Sequence, residues 1–140
     1  MEQAQSITVA CTVNAGIDKV WNFWNAPEHI TQWCSATEEW HTPRAENDLR
    51  TGGTFTTRME AKDGSFGFDF GGVYDEVRTN EYIAYTMGDG RKVNIRFESE
   101  NGQTVVTETF DPESQNSIDM QRAGWQAILD NFKRYTESNA

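Results

Sequence analysis

The sequence predicts one α+β domain in which a curved antiparallel sheet grips a long C-terminal helix. Short runs of alternating apolar and polar residues follow one another from residue 54 onward, the pattern of half-buried strands. Turn-forming pairs such as Asp63-Gly64 and Asp89-Gly90 separate these runs, which is typical of sequential hairpins. The last segment instead carries apolar residues at helical spacing. Because a sheet with one apolar face must be covered, we expect this helix to lie on it.

The first third of the chain combines one strand with two short helices. Residues 6–13 alternate and predict the first strand. From Ile17 the apolar positions follow the i, i+3, i+4, i+7 spacing of an amphipathic helix. Pro27 interrupts that pattern, so Pro27–Trp33 is predicted to be a second short helix. We expect the two helices to cap one end of the sheet.

About six more strands are predicted after these helices. Residues 36–42 predict a short strand, 43–49 a polar loop, and Gly52-Gly53 a sharp turn or a bulge. The remaining strands are predicted at 54–61, 66–78, 82–87, 91–98 and 103–110. Short turns between them indicate an antiparallel meander. The first strand cannot join that series in sequence, so it is expected to pair at an edge of the curled sheet.

The final helix is predicted to start near Ser117, capped by Ser114 or Asn116. Its apolar stripe consists of Ile118, Trp125, Ile128, Leu129, Phe132 and Tyr135. Gly124 inside it costs about 1 kcal/mol relative to Ala. Close approach of the helix to the sheet would explain this glycine, and a tolerated weak position is the alternative.

Composition excludes several classes of partner. A chain of 140 residues is expected to form a single domain over 1–140. Its formal net charge of −10 repels nucleic-acid phosphates and anionic lipids, so neither partner is expected. No run of 18 apolar residues occurs, and residues 1–15 lack a basic leader followed by an apolar block. We therefore expect a cytoplasmic protein.

Known catalytic and metal-binding patterns are missing from the sequence. Cys11 and Cys34 lack CxxC spacing and are expected to stay reduced, Cys11 in the core. His29, His41, Cys34 and the acids at 38, 39, 46 and 48 do not have the spacing of a metal site. No GxSxG elbow or phosphate-binding glycine loop is present. The sequence thus predicts no catalytic residue, no metal and no cofactor.

Five segments resemble one bacterial family over nearly the whole chain. They are VWNFWNAPEHITQW (20–33), EEWH (38–41), ENDLRTGGTF (46–55), MEAKDGSFGFDFGGVYDEV (59–77) and QRAGWQAILDNFKRY (121–135). The family is related to the C-terminal domain of the heat-shock-protein-90 ATPase activator and belongs to the START-like (SRPBCC) superfamily. The resemblance implies the helix-grip fold. Superfamily members with a cavity bind lipids, polyketides, hormones or aromatic compounds, and a minority catalyse cyclisation or dehydration.

Aromatic side chains are predicted to converge where the sheet faces the last helix. These rings are Trp40, Phe55, Phe68, Phe70, Tyr74, Tyr85, Phe97 and Trp125. They either fill the core or line a cavity of a few hundred cubic ångströms, to which Leu129 of the apolar stripe would contribute. Tyr74, Tyr85, Thr107 and His41 would be its polar groups. Glu76 shares the parity of Phe70, so it is either a polar anchor inside the cavity or a solvated residue at a strand end.

The sequence therefore favours binding of a small apolar or aromatic molecule without covalent chemistry. The first alternative is a protein-interaction module like the activator domain, with a chaperone or another protein as its partner. An exposed apolar patch would favour that alternative. The second is an enzyme like the polyketide cyclases, which would require a buried acid or histidine in the cavity.

Overall fold

Seven strands and three helices make up the part of the chain that the computed structural model describes, residues 6–34 and 39–139. In chain order they are β1 (Ile7–Val13), α1 (Ile17–Asn25), α2 (Pro27–Trp33), β2 (Trp40–Asn47), β3 (Thr54–Ala61), β4 (Gly67–Arg78), β5 (Tyr82–Met87), β6 (Lys92–Glu100), β7 (Gln103–Phe110) and α3 (Ile118–Ser138). This order confirms the α+β helix-grip fold. Among these residues no helix is long and apolar enough to cross a membrane.

The seven strands form one antiparallel sheet in the order β1-β7-β6-β5-β4-β3-β2. β2 to β7 are thus a meander, and β1 pairs with its last strand from Ile7 opposite Phe110 to Val13 opposite Thr104. This edge position of β1 confirms the prediction. Left-handed residues close the hairpins, among them Gly64 at φ 78° and Gly90 at φ 94°, because these turns favour residues with φ above zero.

The second strand differs from its prediction. It spans Trp40–Asn47 instead of 36–42, and residues 36–38 lie outside the described residues. The polar loop predicted at 43–49 is therefore wrong. Pairing with β3 shifts register between His41 and Arg44, so Pro43 lies in an irregularity of an edge strand. Such a position tolerates proline because no ladder hydrogen bond needs its missing N–H.

Helix α3 covers the free edge of β1. Gln126 donates to the main-chain oxygen of Ala10 at 3.0 Å, and the Lys133 ammonium donates to that of Thr12 at 2.6 Å. These bonds occupy carbonyl groups that an open edge would offer to another strand. The helix is capped by Ser117, whose hydroxyl accepts from the Met120 amide at 3.1 Å, and not by Ser114 or Asn116 as predicted.

The core is tightly filled at the C-terminal half of α3. Leu129 and Phe132 are fully buried. The Phe132 ring meets Trp24 and Trp33 edge-on, with both centroid distances 4.9 Å. Phe97 of β6 lies beneath Trp24 at 5.8 Å. At this end aromatic side chains interlock, so the two short helices and α3 are fixed on the sheet.

Gly124 does not mark a close contact between α3 and the sheet. A Cβ atom at this position would meet nothing within 4 Å. The steric explanation offered for this glycine is therefore wrong, and the tolerated weak position remains.

Candidate functional site

A cavity of about 230 Å³ lies between the concave face of the sheet and α3. Its aromatic lining comprises Trp24, Trp33, Phe55, Phe68, Phe70, Tyr74, Tyr85 and Trp125. Its aliphatic and thiol lining comprises Ile30, Met59, Ile83, Ile95, Ile128 and Cys34. Its polar lining comprises Asn25, Glu46, Asn47, Thr57 and Glu108. Of the two possibilities left open by the sequence, a filled core and a hollow, the structure has a hollow here.

The rings around the cavity hold one another in place. Phe55 meets Tyr85 edge-on, with centroids 4.7 Å apart. Phe70 meets Trp125 of α3 edge-on at 6.2 Å. Trp125 in turn stacks on Phe110 at 3.7 Å. Edge-on and stacked contacts fix ring orientation, so the wall of the cavity is preformed.

A chain of hydrogen bonds closes one side of the cavity. The Tyr74 hydroxyl donates to Oδ1 of Asn47 at 2.5 Å, and Nδ2 of Asn47 donates to the main-chain oxygen of Asn25 at 2.7 Å. The chain links β4, β2 and the end of α1. Burial raises the pKa of Tyr74, so its hydroxyl keeps its proton and the chain persists at neutral pH.

Glu108 is the most unusual polar group of the cavity. It lies on β7 with only 7% of its surface exposed. Within the described residues its carboxyl group has no hydrogen bond and no ion pair, although buried carboxyls normally have a partner. Burial raises the pKa of Glu108 to about 8. At pH 7 the group is therefore mostly a neutral carboxylic acid.

Tyr85 and Cys34 are also neutral at the cavity. Burial raises the pKa of Tyr85 well above its ordinary value, and negative charge on Glu108 raises it further. Burial likewise raises the pKa of Cys34 to about 12. Both groups keep their protons at neutral pH, so Cys34 is not a thiolate nucleophile. The Tyr85 hydroxyl donates no hydrogen bond to any residue that the structure describes.

The cavity is therefore largely apolar, with a few hydrogen-bonding groups and the exposed Glu46 in its lining, and none of the described residues that line it is a Lys, Arg or His. Within residues 6–34 and 39–139 no group of three or more His, Cys, Asp or Glu could hold a metal ion. Glu108 has the setting that general acid–base chemistry requires, a carboxyl with its pKa moved toward neutrality. Chemically, the site suits an uncharged, largely apolar molecule.

Six of the twelve residues predicted for the site line the cavity. They are Phe55, Phe68, Phe70, Tyr74, Tyr85 and Trp125. Trp40 does not line the cavity but lies next to Phe68, which does, with their ring centroids 6.0 Å apart. His41 is exposed, with its Nε2 atom 3.6 Å from Oε1 of Glu60. It does not line the cavity, contrary to the prediction.

The other four lie elsewhere for identifiable reasons. Phe97 and Leu129 belong to the filled core and not to the hollow. Pairing of β4 with β5 shifts register between Tyr74 and Glu76, so Asp75 is a bulge residue and the parity of the strand inverts. Glu76 thus points away from the cavity, where it pairs with Arg78, and the cavity-anchor alternative is wrong. Thr107 faces outward because it neighbours the buried Glu108.

Sequence reasoning missed Glu108, although a signal existed. Strand periodicity puts Thr104, Val106, Glu108 and Phe110 on one face, and all four are buried. Thr107, the polar residue predicted for the cavity, lies on the opposite face of β7. Asn25 and Asn47 gave no such signal, because one ends a helix and the other lies in the strand predicted as a loop.

Comparison with known proteins gives a consistent family and fold. Residues 14–137 match the family described as Activator of Hsp90 ATPase homolog 1-like protein. No curated protein matches the chain significantly.

Among solved structures, the AHSA1-like protein from Aeromonas hydrophila is 44% identical and superposes with a TM-score of 0.90, covering 96% of this chain and 94% of that one. A protein from Cytophaga hutchinsonii is 60% identical with a TM-score of 0.83, covering 96% and 93%. A protein from Nitrosomonas europaea, 17% identical with a TM-score of 0.82 and covering 100% and 99%, shares the fold.

Proposed function

The chain belongs to the Activator of Hsp90 ATPase homolog 1-like family, and we propose that it binds a small apolar or aromatic molecule between its sheet and α3. We further propose that the protein is cytoplasmic, as the sequence led us to expect. One observation carries it: a cavity of about 230 Å³ remains open beside a core that is otherwise tightly interlocked. Proteins rarely leave such space without use, because close packing stabilises the fold.

Size and chemistry of the cavity support this kind of ligand. An engineered apolar cavity of about 150 Å³ in another protein stays dry and binds benzene. The larger hollow here can accept a one- or two-ring compound. Burial of such a compound is favoured by roughly 25 cal/mol for each Å² of apolar surface removed from water. Rigid rings such as Phe55 and Tyr85 reduce the ordering cost of binding.

Native mass spectrometry and calorimetry with 2-acetonaphthone test the proposal. We expect one molecule bound per chain. Ile128→Trp places a larger side chain in the cavity and should abolish binding. Val73→Trp is the matched control, because Val73 lies on the outer face of the sheet and is 45% exposed. Equal binding to the wild type and the Ile128→Trp variant, or binding to none, would refute the proposed site.

A second candidate function rests on an exposed aromatic patch at the end of the β3–β4 hairpin. We call it the aromatic rim, and it consists of the exposed Phe66 and Phe68 together with the half-buried Trp40. Phe66 is 61% exposed, and the rings of Trp40 and Phe68 each lie 6.0 Å from it. Exposed rings grouped in this way are typical of protein-interaction sites. The family description mentions activation of the Hsp90 ATPase, so a chaperone is the partner to test.

Stimulation of Hsp90 ATPase activity by the purified chain would support this second function. The Phe66→Ser variant should then lose the stimulation while still binding 2-acetonaphthone, because Phe66 does not line the cavity. Absence of stimulation by the wild-type chain would remove this candidate and leave the first one unaffected.

A further inference from the structure

We propose that Glu108 and Tyr85 form a two-donor subsite for a single acceptor oxygen, and that the ligand is an uncharged aromatic compound carrying a ketone or aldehyde carbonyl. This inference rests on the proposed function, since it names the chemical class that the same cavity would bind. It goes beyond that function because an apolar hollow alone would not distinguish a carbonyl compound from a hydrocarbon.

Glu108 is positioned by the sheet to face the cavity. On β7 it pairs with Ile95 of β6 and Val9 of β1, and both neighbours are buried. Its nearest residues on the same face, Val106 and Phe110, are buried as well. Apolar side chains therefore surround the carboxyl group on the sheet. Among the described residues nothing satisfies it, so a bound molecule is the partner it lacks.

Tyr85 approaches the same region from two strands away. Ile83, Ile95 and Glu108 form one row across the sheet, and Tyr85 is the next residue of β5 on that face. Its ring is held edge-on by Phe55. Glu108 acts electrostatically on the Tyr85 hydroxyl, in agreement with their placement around one hollow. Both groups are buried, line the cavity and lack a partner within the described residues.

Both groups are hydrogen-bond donors at neutral pH. The pKa of Glu108 is raised to about 8 by burial. The titratable groups around it are Tyr85 from β5, Tyr74 from β4, Cys34 after α2, Cys11 from β1 and Glu46 of β2. None of them is a cation. Arg91 acts electrostatically on the Tyr85 hydroxyl and lowers its pKa, but it does not line the cavity. Helix α3 contributes only Trp125 and Ile128 to the lining. Glu108 therefore retains its proton and presents an O–H group beside that of Tyr85.

Two donors, and a described lining that contains no cation, select the polar chemistry of the ligand. A carbonyl oxygen accepts two hydrogen bonds and loses little on leaving water, so it satisfies both donors. A carboxylate or sulfonate would enter a hollow without a compensating positive charge. An ammonium group would require Glu108 to release its proton first. A buried carboxylic acid that lacks a hydrogen-bond partner among the described residues, together with a tyrosine hydroxyl in the same cavity, thus indicates a neutral acceptor.

A matched pair of compounds tests the subsite. 2-Acetonaphthone carries the carbonyl, and 2-isopropenylnaphthalene replaces its oxygen with a CH₂ group of similar shape. Calorimetry gives the ratio of their dissociation constants for the wild type, Glu108→Met, Tyr85→Phe and the exposed control Glu98→Gln. We expect the preference for the ketone to fall about tenfold in Glu108→Met and severalfold in Tyr85→Phe. Glu98→Gln should keep the wild-type preference.

The pH dependence of binding gives an independent readout. Affinity of the wild type for 2-acetonaphthone should be constant from pH 6 to 7 and fall above about pH 8, where Glu108 loses its proton. Glu108→Gln retains an N–H donor and should bind the ketone without this pH dependence.

Three outcomes would overturn the inference. An unchanged ratio in both Glu108→Met and Tyr85→Phe, with both compounds still bound, would refute the subsite and leave the proposed function standing. Tighter binding of 2-(aminomethyl)naphthalene, with affinity rising up to pH 8, would show that an organic cation is the preferred ligand. Failure of every compound to bind would refute the proposed function and the subsite together.

Discussion

Trp125 of α3 stacks on Phe110 of β7 with ring centroids 3.7 Å apart and an interplanar angle of 11°. This contact supports the helix at the side of the hollow. Two helical turns further on, Phe132 is enclosed by Trp24 and Trp33 and is fully buried. One helix thus has two different relationships to the sheet, tight packing at its C-terminal half and a cavity beside Trp125.

Substitutions at the two ends of the interface should differ in cost. Phe132→Ala removes a fully enclosed ring and should lower the free energy of unfolding by about 3–5 kcal/mol. Phe70→Ala should cost less than half of that, because its half-buried ring already borders empty space. Urea denaturation measures both. Equal losses for the two variants would contradict the division into a filled and a hollow half.

Stability should depend on pH through Glu108. Its pKa is raised from 4.5 to about 8 in the folded protein by burial, so the folded state binds more protons between these values. Its contribution is favourable at low pH and is lost as pH rises. Glu108→Gln should therefore gain stability over the wild type by about 1.4 kcal/mol for each pH unit across pH 5–8.

Urea denaturation at several pH values between 5 and 8 measures this difference. Glu98→Gln, which removes an exposed carboxylate from β6, is the control and should follow the wild type throughout. A constant difference between Glu108→Gln and the wild type would show that Glu108 titrates normally.

Gly124→Ala should stabilise the protein by about 1 kcal/mol. A Cβ atom there meets nothing within 4 Å, so the substitution adds helix propensity without a clash. Thermal denaturation measures the gain. A loss of stability would indicate that the glycine serves a contact or a motion of α3 that this explanation omits.

Tyr74→Phe should lower the free energy of unfolding by about 1–2 kcal/mol. The change leaves Oδ1 of Asn47 without its donor and weakens the link from β4 to the edge strand β2. Tyr82→Phe is the matched control, since Tyr82 lies on the outer face, where its ring packs under Arg96. Similar losses in both variants would show that the Asn47 hydrogen bond has no special value.

Local patterns predicted the fold well because most elements carry their own signals. Alternation and hairpin turns gave β3 and β5 their observed bounds, and Pro27 marked the start of α2. β2 was mispredicted because an edge strand can be polar on both faces and tolerate Pro43. Its pairing with β3 comes from tertiary structure, which periodicity does not contain.

The site was predicted only in part, because one extra residue in a strand changes which side chains face the cavity. Six of the predicted rings line the cavity, five of them on strands predicted by alternation and Trp125 on a helix predicted by helical spacing. The bulge at Asp75 turns the Glu76 side chain to the opposite face of the sheet. No residue type in that segment indicates where the bulge lies. For Glu108 the periodic signal was present, since its parity matches Val106 and Phe110, but a charged residue in an apolar row is usually assigned to solvent.

Methyl NMR of a sample labelled at isoleucine δ1 positions tests the central claim most directly. Ile30, Ile83, Ile95 and Ile128 line the cavity, whereas Ile7 is buried away from it and Ile118 begins α3. Addition of 2-acetonaphthone should shift the four lining methyl signals and leave those of Ile7 and Ile118 in place. Saturating compound that shifts none of the four, or shifts all six alike, would contradict a ligand site between the sheet and α3.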